Sequence, residues 1–153
     1  IRFSNASGLT YSADQISTLP GFYTYSSLNN SPAPSIINDT TGKFPAKVWA
    51  FVTATGVPSK GIGFDLQLFP GNYTICAWGR NISGPSRMTT NVTVHKSDGF
   101  HDNLGGGDLS RSNDYSSSIC NNFSTIGADS AKYGISQNST SWNEIYKITI
   151  TTR

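Results

Sequence analysis

Apolar and polar side chains alternate every second residue in several short segments of this sequence. In residues 62–69 the apolar set is Ile62, Phe64, Leu66 and Leu68. Residues 91–96 and 143–153 alternate in the same way, and their expected inward residues are Val92, Val94, Tyr146, Ile148 and Ile150. No long segment carries the 3.6-residue period of an amphipathic helix. Because a two-residue period matches a half-buried strand, the pattern predicts an all-β chain.

Other segments have the composition of strands without a strict alternation. Residues 73–78 follow the turn signal Pro70-Gly71, and we expect them to form a β-hairpin with residues 62–69. Residues 47–55 are apolar on both faces, which is typical of a central, covered strand. Residues 21–27 (GFYTYSS) indicate an aromatic strand. One helical turn is predicted over residues 12–18, with Ser12 as its N-cap.

Together these segments predict one domain over residues 1–153 with a β-sandwich or jelly-roll-like fold. Residues 97–141 stand apart because they are rich in Gly, Ser, Asn and Asp and show almost no alternation. We interpret them as a long polar loop region that carries the function, with hidden short strands as the alternative.

Composition limits the classes of partner. Charged residues make up only 13% of the chain and the net charge is +2, with the basic residues scattered. Nucleic-acid binding needs a concentrated basic face, so we expect none. No apolar run is long enough to cross a bilayer as a helix, so we expect no membrane insertion. No cofactor and no metal are expected.

The two cysteines, Cys76 and Cys120, are expected to form one disulfide, with two buried free thiols as the alternative. Eight asparagines lie in N-x-[ST] sequons, far more than chance predicts for this composition. Such a density favours a secreted glycoprotein. The candidate glycosylation sites are Asn5, Asn29, Asn38, Asn72, Asn81, Asn91, Asn122 and Asn138.

Catalytic patterns are weak. There is no GxSxG elbow, and the two histidines, His95 and His101, lie on polar segments. The aspartates of residues 102–114 do not by their spacing define an acid–base pair. The segment HDNLGGGD does not match a calcium-loop spacing, and the triple glycine lacks a phosphate-loop context. We therefore expect no enzyme, and a polysaccharide-degrading activity is only a distant third interpretation.

Sugar binding fits the composition better. Saccharide sites combine an apolar aromatic platform with a few converging polar groups. Trp78, Tyr115 and Trp142 are candidate platforms, and the alternative interpretation of the two tryptophans is that they belong to the core. The candidate polar partners come from the loop region: Asp102, Asn103, Asp108, Arg111, Asn113 and Asp114.

Two resemblances are present. Residues 12–34 (SADQISTLPGFYTYSSLNNSPAP) resemble the opening of phage tail-fibre tip and pyocin knob modules, and residues 140–150 (TSWNEIYKITI) are loosely similar to their closing strand. This resemblance implies a trimeric, β-rich domain that binds a cell-surface saccharide or protein. Residues 68–94 resemble the end of a fibronectin type III or related immunoglobulin-like domain, with Tyr73 at the position of a tyrosine corner.

These observations predict an extracellular, non-enzymatic recognition domain that binds a cell-surface glycan or receptor. We expect it at the tip of a fibre or adhesin: a tail fibre on a virion surface, a cell-surface appendage or a secreted protein. A homo-oligomer, either a trimer or a filament, would supply avidity. The alternative is a glycosylated structural subunit of a filament or pilus, in which the first strand (residues 1–7) or the last (residues 144–153) pairs with a neighbour.

Overall fold

The computed structural model describes residues 8–41 and 46–153, and the predicted first strand and Asn5 lie outside these ranges. Within them the chain forms eleven strands and one helical turn. All strand pairs are antiparallel and belong to two sheets. The predicted all-β sandwich is therefore confirmed. No described helix is long and apolar enough to span a membrane.

One sheet has six strands, and its main path runs β3-β4-β11-β6-β9, with β1 paired to β11. Its strands are β1 (Leu9–Ser12), β3 (Ser35–Asn38), β4 (Lys47–Val52), β6 (Asn72–Ser83), β9 (Ser117–Ser124) and β11 (Trp142–Thr152). Val48, Trp49, Ala50 and Phe51 are all buried, which confirms that β4 is covered on both faces.

The other sheet has five strands in the order β2-β5-β10-β7-β8. Its strands are β2 (Tyr23–Ser26), β5 (Lys60–Leu66), β7 (Met88–Lys96), β8 (Gly99–Gly107) and β10 (Ala128–Gln137). The alternation of β5 and β7 is as predicted. Ile62, Phe64, Val92 and Val94 point into the core between the sheets, and their neighbours point outward.

The single helical turn, α1 (Ala13–Ile16), confirms the predicted cap. The Ser12 hydroxyl accepts a hydrogen bond from the Gln15 amide, and the Gln15 side chain accepts one from the Ser12 amide. This capping box satisfies two donors that a helix start would otherwise leave unpaired. The turn buries Ala13 and Ile16, so it closes the edge of the core beside β1.

The predicted β-hairpin between residues 62–69 and 73–78 is wrong. β5 belongs to the five-stranded sheet and β6 to the six-stranded sheet, so the Pro70-Gly71 turn crosses from one layer to the other. The Tyr73 hydroxyl donates to the Phe69 carbonyl at 2.5 Å, which is the contact of a tyrosine corner and holds this crossover. Two alternating strands joined by a short turn can pair or can change sheets, and the alternation is identical in both cases.

Residues 97–141 are not one long loop. They contain β8, β9 and β10, and only residues 108–116 form an extended connection. The sequence of β8 shows no alternation because nearly all of its residues are exposed. The alternation of β9 is interrupted because the inward position between Ile119 and Phe123 is occupied by the buried, polar Asn121. The alternative that the sequence left open, hidden strands, is the one that the structure adopts.

The last strand departs from the expected pattern at one residue. Ile148 and Ile150 are buried as predicted, but the register between β11 and β6 shifts between Ile145 and Lys147. This bulge turns Tyr146 away from the core. On the outer side of the sheet the Tyr146 ring stacks on Tyr115 at a centroid distance of 5.0 Å. β11 also pairs on both sides within its own sheet, so the structure does not offer it for exchange with a neighbour.

The predicted disulfide is present. Cys76 of β6 and Cys120 of β9 are direct cross-strand partners and are joined by an S–S bond. The bond lies on the outer side of the six-stranded sheet, because the neighbouring Ile75, Ala77 and Ile119 point into the core. It therefore fastens the edge strand β9 to the interior of the sheet.

Candidate functional site

The outer face of the five-stranded sheet carries cross-strand rows of unlike side chains. One row runs Tyr23, Gly63, Gly134, Asn91 and Leu104 from edge to edge. A parallel row runs Tyr25, Gly61, Ser136, Thr89 and Gly106. Tyrosines therefore occupy one edge, and glycines on the next strands leave a low floor beside them.

Two tyrosines lie flat across this floor. A Cβ built on Gly63 would meet the Tyr23 ring at 2.5 Å, and one built on Gly61 would meet the Tyr25 ring at 2.9 Å. Only glycine permits this approach of ring and backbone. The rings are 6.2 Å apart at their centroids and inclined by only 27°. They remain 47% and 38% exposed, so each offers its outer face to solvent. We call these two rings the tyrosine platform.

Polar groups border the platform. A third row runs Asp65, Lys132, Thr93 and Asp102, and the Lys132 ammonium lies 3.8 Å from the Asp65 carboxylate. The Asp102 carboxylate accepts hydrogen bonds from Thr93 at 2.8 Å and from the Asn91 amide at 3.3 Å. These bonds hold the side chains in place while leaving the row largely exposed.

The platform, Thr93 and Lys132 line a groove of about 240 Å³. Its floor is formed by Gly134 and Ser136 on β10, with Thr89 and Asn91 of β7 beside them. Partial burial raises the pKa of Tyr23 above its usual 10.0, and the nearby Tyr25 and Asp65 raise it further. Tyr23 is therefore neutral at physiological pH. The site offers flat aromatic faces, hydroxyls, one amide and one ion pair, and this set can bind a polar ligand that has an apolar face.

The predicted tryptophans lie elsewhere. Trp78 is half-buried on the outer side of the six-stranded sheet, where its indole donates to Thr149 at 2.9 Å and Lys147 lies over its ring. Trp142 is half-buried at the start of β11, where it pairs with Val52 and Ser83. Neither belongs to the core, in contrast to Trp49.

The connection of residues 108–116 folds against the six-stranded sheet and uses most of its predicted ligand-binding side chains for its own structure. Arg111 donates to the Asn81 side chain and to the Gly84 carbonyl. Asp108 accepts from the amide of Arg87, whose φ of 43° is unusual for a residue with a side chain. Asp114 accepts from Ser112 and Ser116 within the connection. Asn113 is exposed.

Tyr115 is buried beneath this connection in a polar cluster, which we call the arginine cluster. Its hydroxyl donates to Asp39 and, at 3.3 Å, to Glu144. Glu144 is fully buried and pairs with Arg80 at 3.1 Å, while Thr40 donates to both of its oxygens. Arg80 also donates to the Ser112 carbonyl, so the cluster fastens the connection to the sheet.

The predicted ligand-binding residues are therefore not brought to one surface. Asp102 lies on the outer face of the five-stranded sheet, on the edge strand β8, where its carboxylate holds Asn91 and Thr93 of the groove lining. Asn103 points to the other side of β8 and accepts from the Asn121 amide. Trp78 lies on the opposite face of the sandwich. The assignment of each of these residues to a ligand stays a prediction.

The sequons also differ in their surroundings. Asn81 is buried, and its amide nitrogen donates to Ser83, Trp142 and Asn143, so we do not expect a glycan there. The Asn91 side chain is held beside the groove by Thr93 and Asp102. The other described sequon asparagines are exposed: Asn29, Asn38, Asn72, Asn122 and Asn138.

The histidines are exposed and each is near one carboxylate, His95 at 3.8 Å from Asp129 and His101 at 2.7 Å from Asp98. The hydrogen bond from His101 lowers the pKa of Asp98. Within residues 8–41 and 46–153, no three His, Cys, Asp or Glu side chains come together as a metal site.

The tyrosine platform was not identified from the sequence. A signal was present: Tyr23 and Tyr25 are two residues apart, and so are Gly61 and Gly63. Aromatic and glycine residues at matching spacing indicate a ring packed over a bare backbone once the two strands are known to pair. That pairing joins segments more than thirty residues apart, and nothing local in the sequence predicts it.

No protein-family model matches this chain. No curated protein matches it. Solved structures do share its fold at low sequence identity. The CBM22-1 xylan-binding domain of Paenibacillus barcinonensis Xyn10C is 9% identical with a TM-score of 0.65, and the match covers 97% of each chain. The module TmCBM61, solved with β-1,4-galactotriose, is 10% identical with a TM-score of 0.64, over 87% of this chain and 89% of that one.

Larger proteins also contain this fold. The enzymatically active domain of bacteriophage CBA120 tailspike protein 4 is 10% identical with a TM-score of 0.60, and the match covers 86% of this chain but only 19% of the tailspike chain. In a Clostridium thermocellum xylanase chain the match likewise spans only 26% of the length. At these identities the likeness concerns the fold alone: the chain has the β-sandwich fold of carbohydrate-binding modules.

Proposed function

We propose that this chain is a non-enzymatic glycan-binding domain whose ligand lies on the tyrosine platform. The observation that carries the proposal is the pair of exposed, nearly parallel rings held flat on Gly61 and Gly63. A sugar ring has an apolar C–H face and a rim of hydroxyls. The platform offers an apolar surface to the first, and Ser136, Lys132 and Asn91 of the groove lining offer hydrogen bonds to the second.

The fold supports the same proposal. Its solved neighbours include a xylan-binding domain and a module in complex with a galactose oligomer. Both match this chain over most of their own length, so the similarity concerns the module itself and not an attached catalytic domain. We extend to this chain only the general class of ligand, a neutral glycan, because the charged side chain of the groove lining, Lys132, is already paired with Asp65.

We further propose that the domain acts outside the cell, as a receptor- or glycan-binding element of a virion, an appendage or a secreted protein. The disulfide supports this setting, because such bonds persist in oxidising compartments. The fold likeness to part of a phage tailspike supports a fibre context. A homo-oligomer would supply avidity for a weak single site, and size-exclusion chromatography with light scattering would measure it.

The proposal is tested by glycan binding. The protein is applied to a glycan array that includes β-1,4-linked xylose and galactose oligomers, and hits are measured by isothermal titration calorimetry. Tyr23→Ala and Tyr25→Ala should each weaken binding about tenfold, since each removes an aromatic contact. Phe100→Ala is the matched control, because Phe100 is 74% exposed on the same sheet but at its far edge.

Two outcomes would contradict the proposal. One is the absence of any hit across bacterial, plant and host glycans. The other is a hit whose affinity both tyrosine variants leave unchanged. Loss of that binding in Trp142→Ala or Arg111→Ala would then favour the residues expected from the sequence. A chain mass well above 16.4 kDa would show that the exposed sequons carry sugar and would favour the alternative of a glycosylated structural subunit.

A further inference from the structure

A second, larger cavity lies at the end of the groove. It has a volume of about 650 Å³ and forms where β5 and β10 diverge beyond the Asp65–Lys132 pair. Phe69 and Pro70 line one side of it, and Asp129 and Ser130 line the other. We call it the Phe69 cleft. Lys132 lines both the cleft and the groove, so the two cavities adjoin at this side chain.

Residues of β10 line both cavities, so the two follow the direction of this strand. Ser136 and Gly134 lie in the groove, Lys132 lies between the cavities, and Ser130 and Ala128 lie in the cleft. At the rise of an extended strand, the distance from Ser136 to Ala128 is about 26 Å. This is much longer than the tyrosine platform, whose two ring centroids are 6.2 Å apart.

The Phe69 cleft repeats the chemistry of the platform. Phe69 is 45% exposed. Its backbone carbonyl accepts hydrogen bonds from the Tyr73 hydroxyl at 2.5 Å and from the Thr125 hydroxyl at 3.1 Å. The aromatic residue is thus presented from a backbone that two side chains hold. The exposed Gln67 and Asp129 supply an amide and a carboxylate beside it. An aromatic surface with neighbouring hydrogen-bonding groups is again suited to a sugar ring.

We infer that the Phe69 cleft is an extension subsite of the tyrosine platform. The ligand is then a linear glycan that lies along β10, with one part on Tyr23 and Tyr25 and a further part beside Phe69. This inference rests on the proposed function and specifies its ligand as a chain longer than the platform. The Asp65–Lys132 pair lies midway, where its exposed charges can bind hydroxyls of the connecting sugar units.

The test compares a short and a long member of one oligosaccharide series that binds the protein, by isothermal titration calorimetry. The long member should bind about tenfold more tightly than the short one, because it gains an additional aromatic contact. Phe69→Ala should abolish this gain and leave the short member unaffected. Tyr23→Ala should weaken both. Ile126→Ala is the control, since Ile126 is 56% exposed nearby but does not line the cleft.

A second readout does not depend on the variants. In NMR titrations the short oligosaccharide should shift the amide signals of Gly63 and Gly134, and the long one should also shift those of Gln67 and Ser130. Equal affinity of both oligosaccharides for the wild-type protein, or a length gain that survives Phe69→Ala, would overturn this inference and leave the platform intact. Failure of every oligosaccharide to bind would overturn the proposed function and this inference with it.

Discussion

At the scale of single residues, the molecule depends on a few positions where only one side chain fits. Gly63 is one, because the Tyr23 ring occupies the space that a Cβ would need. Glu144 is another, because it is the fully buried carboxylate that pairs with Arg80 in the arginine cluster. Lys60 is a third: its buried ammonium donates to Ser31, Pro32 and Val52, and burial lowers its pKa.

Replacing Gly63 tests whether the flat ring is needed for binding. Gly63→Ala should move the Tyr23 ring off the sheet, since the new methyl would meet ring atoms at 2.5 Å. The ring lies at an exposed edge and can swing away, so we expect the fold to persist while glycan affinity falls about tenfold. Phe100→Ala is again the control, because Phe100 is exposed on the same sheet but does not line the groove. Unchanged binding in Gly63→Ala would contradict the platform geometry.

Replacing Glu144 tests the arginine cluster. Glu144→Gln leaves the Arg80 guanidinium buried without its counter-charge, and breaking a buried pair in this way typically costs about 3–5 kcal/mol. We expect a loss of that size in the free energy of unfolding, measured in urea. Asp65→Asn removes the exposed pair with Lys132 and should cost less than about 1 kcal/mol. Equal effects of the two substitutions on the free energy of unfolding would show that burial does not make the Arg80–Glu144 pair more important than an exposed pair.

At the scale of strands, prediction succeeded where each strand has one buried and one exposed face. β7 shows this alternation plainly, whereas in β5 the outward residues Gly61 and Gly63 are buried beneath the tyrosine rings. β8 does not, because it is an edge strand exposed on both sides, and its triple glycine suggests a loop. The hairpin prediction failed because the choice between pairing and changing sheets depends on the Tyr73–Phe69 contact and on packing across the sandwich. The platform was missed for a related reason, since β2 and β5 are distant in sequence.

The disulfide links the paired strands β6 and β9 covalently. It closes a loop with a sequence separation of 44 residues, for which the chain-entropy model gives about 4 kcal/mol of stabilisation. The Cys76→Ser, Cys120→Ser double variant should therefore lose up to about this amount in chemical unfolding. The bond is far from the groove, so glycan binding by the folded variant should be unchanged. A large loss of affinity without unfolding would place the ligand on the six-stranded sheet instead.

At the scale of the whole molecule, the free energy of unfolding should decrease at alkaline pH. Burial raises the pKa of Tyr115 and Tyr133 above the ordinary 10.0, and for Tyr115 the hydrogen bond to Asp39 adds to the effect. Above pH 10 the unfolded chain loses protons that the folded chain keeps. The contribution of these two tyrosines to stability is thus complete below pH 10 and is lost as the pH rises beyond it. Lys60, whose pKa is lowered, acts in the opposite direction up to its ordinary 10.5.

Tyr133→Phe isolates this effect. Within the described part of the chain the buried Tyr133 hydroxyl has no hydrogen-bond partner, so its removal should not lower the unfolding free energy at neutral pH. The variant should then lose less stability than the wild type between pH 9 and pH 11, as measured by urea unfolding at each pH. Parallel curves of unfolding free energy against pH for the two proteins would show that Tyr133 does not contribute to the loss of stability at alkaline pH.

The whole molecule is a β-sandwich whose two outer faces differ in structure. The six-stranded sheet is covered by a structural connection and fastened by the disulfide, and the five-stranded sheet presents an open groove. The most direct test of this account is calorimetric titration of wild type and Tyr23→Ala with an oligosaccharide identified on a glycan array. The account predicts binding by the wild type and about tenfold weaker binding by the variant. Equal affinities, with both proteins folded, would contradict it.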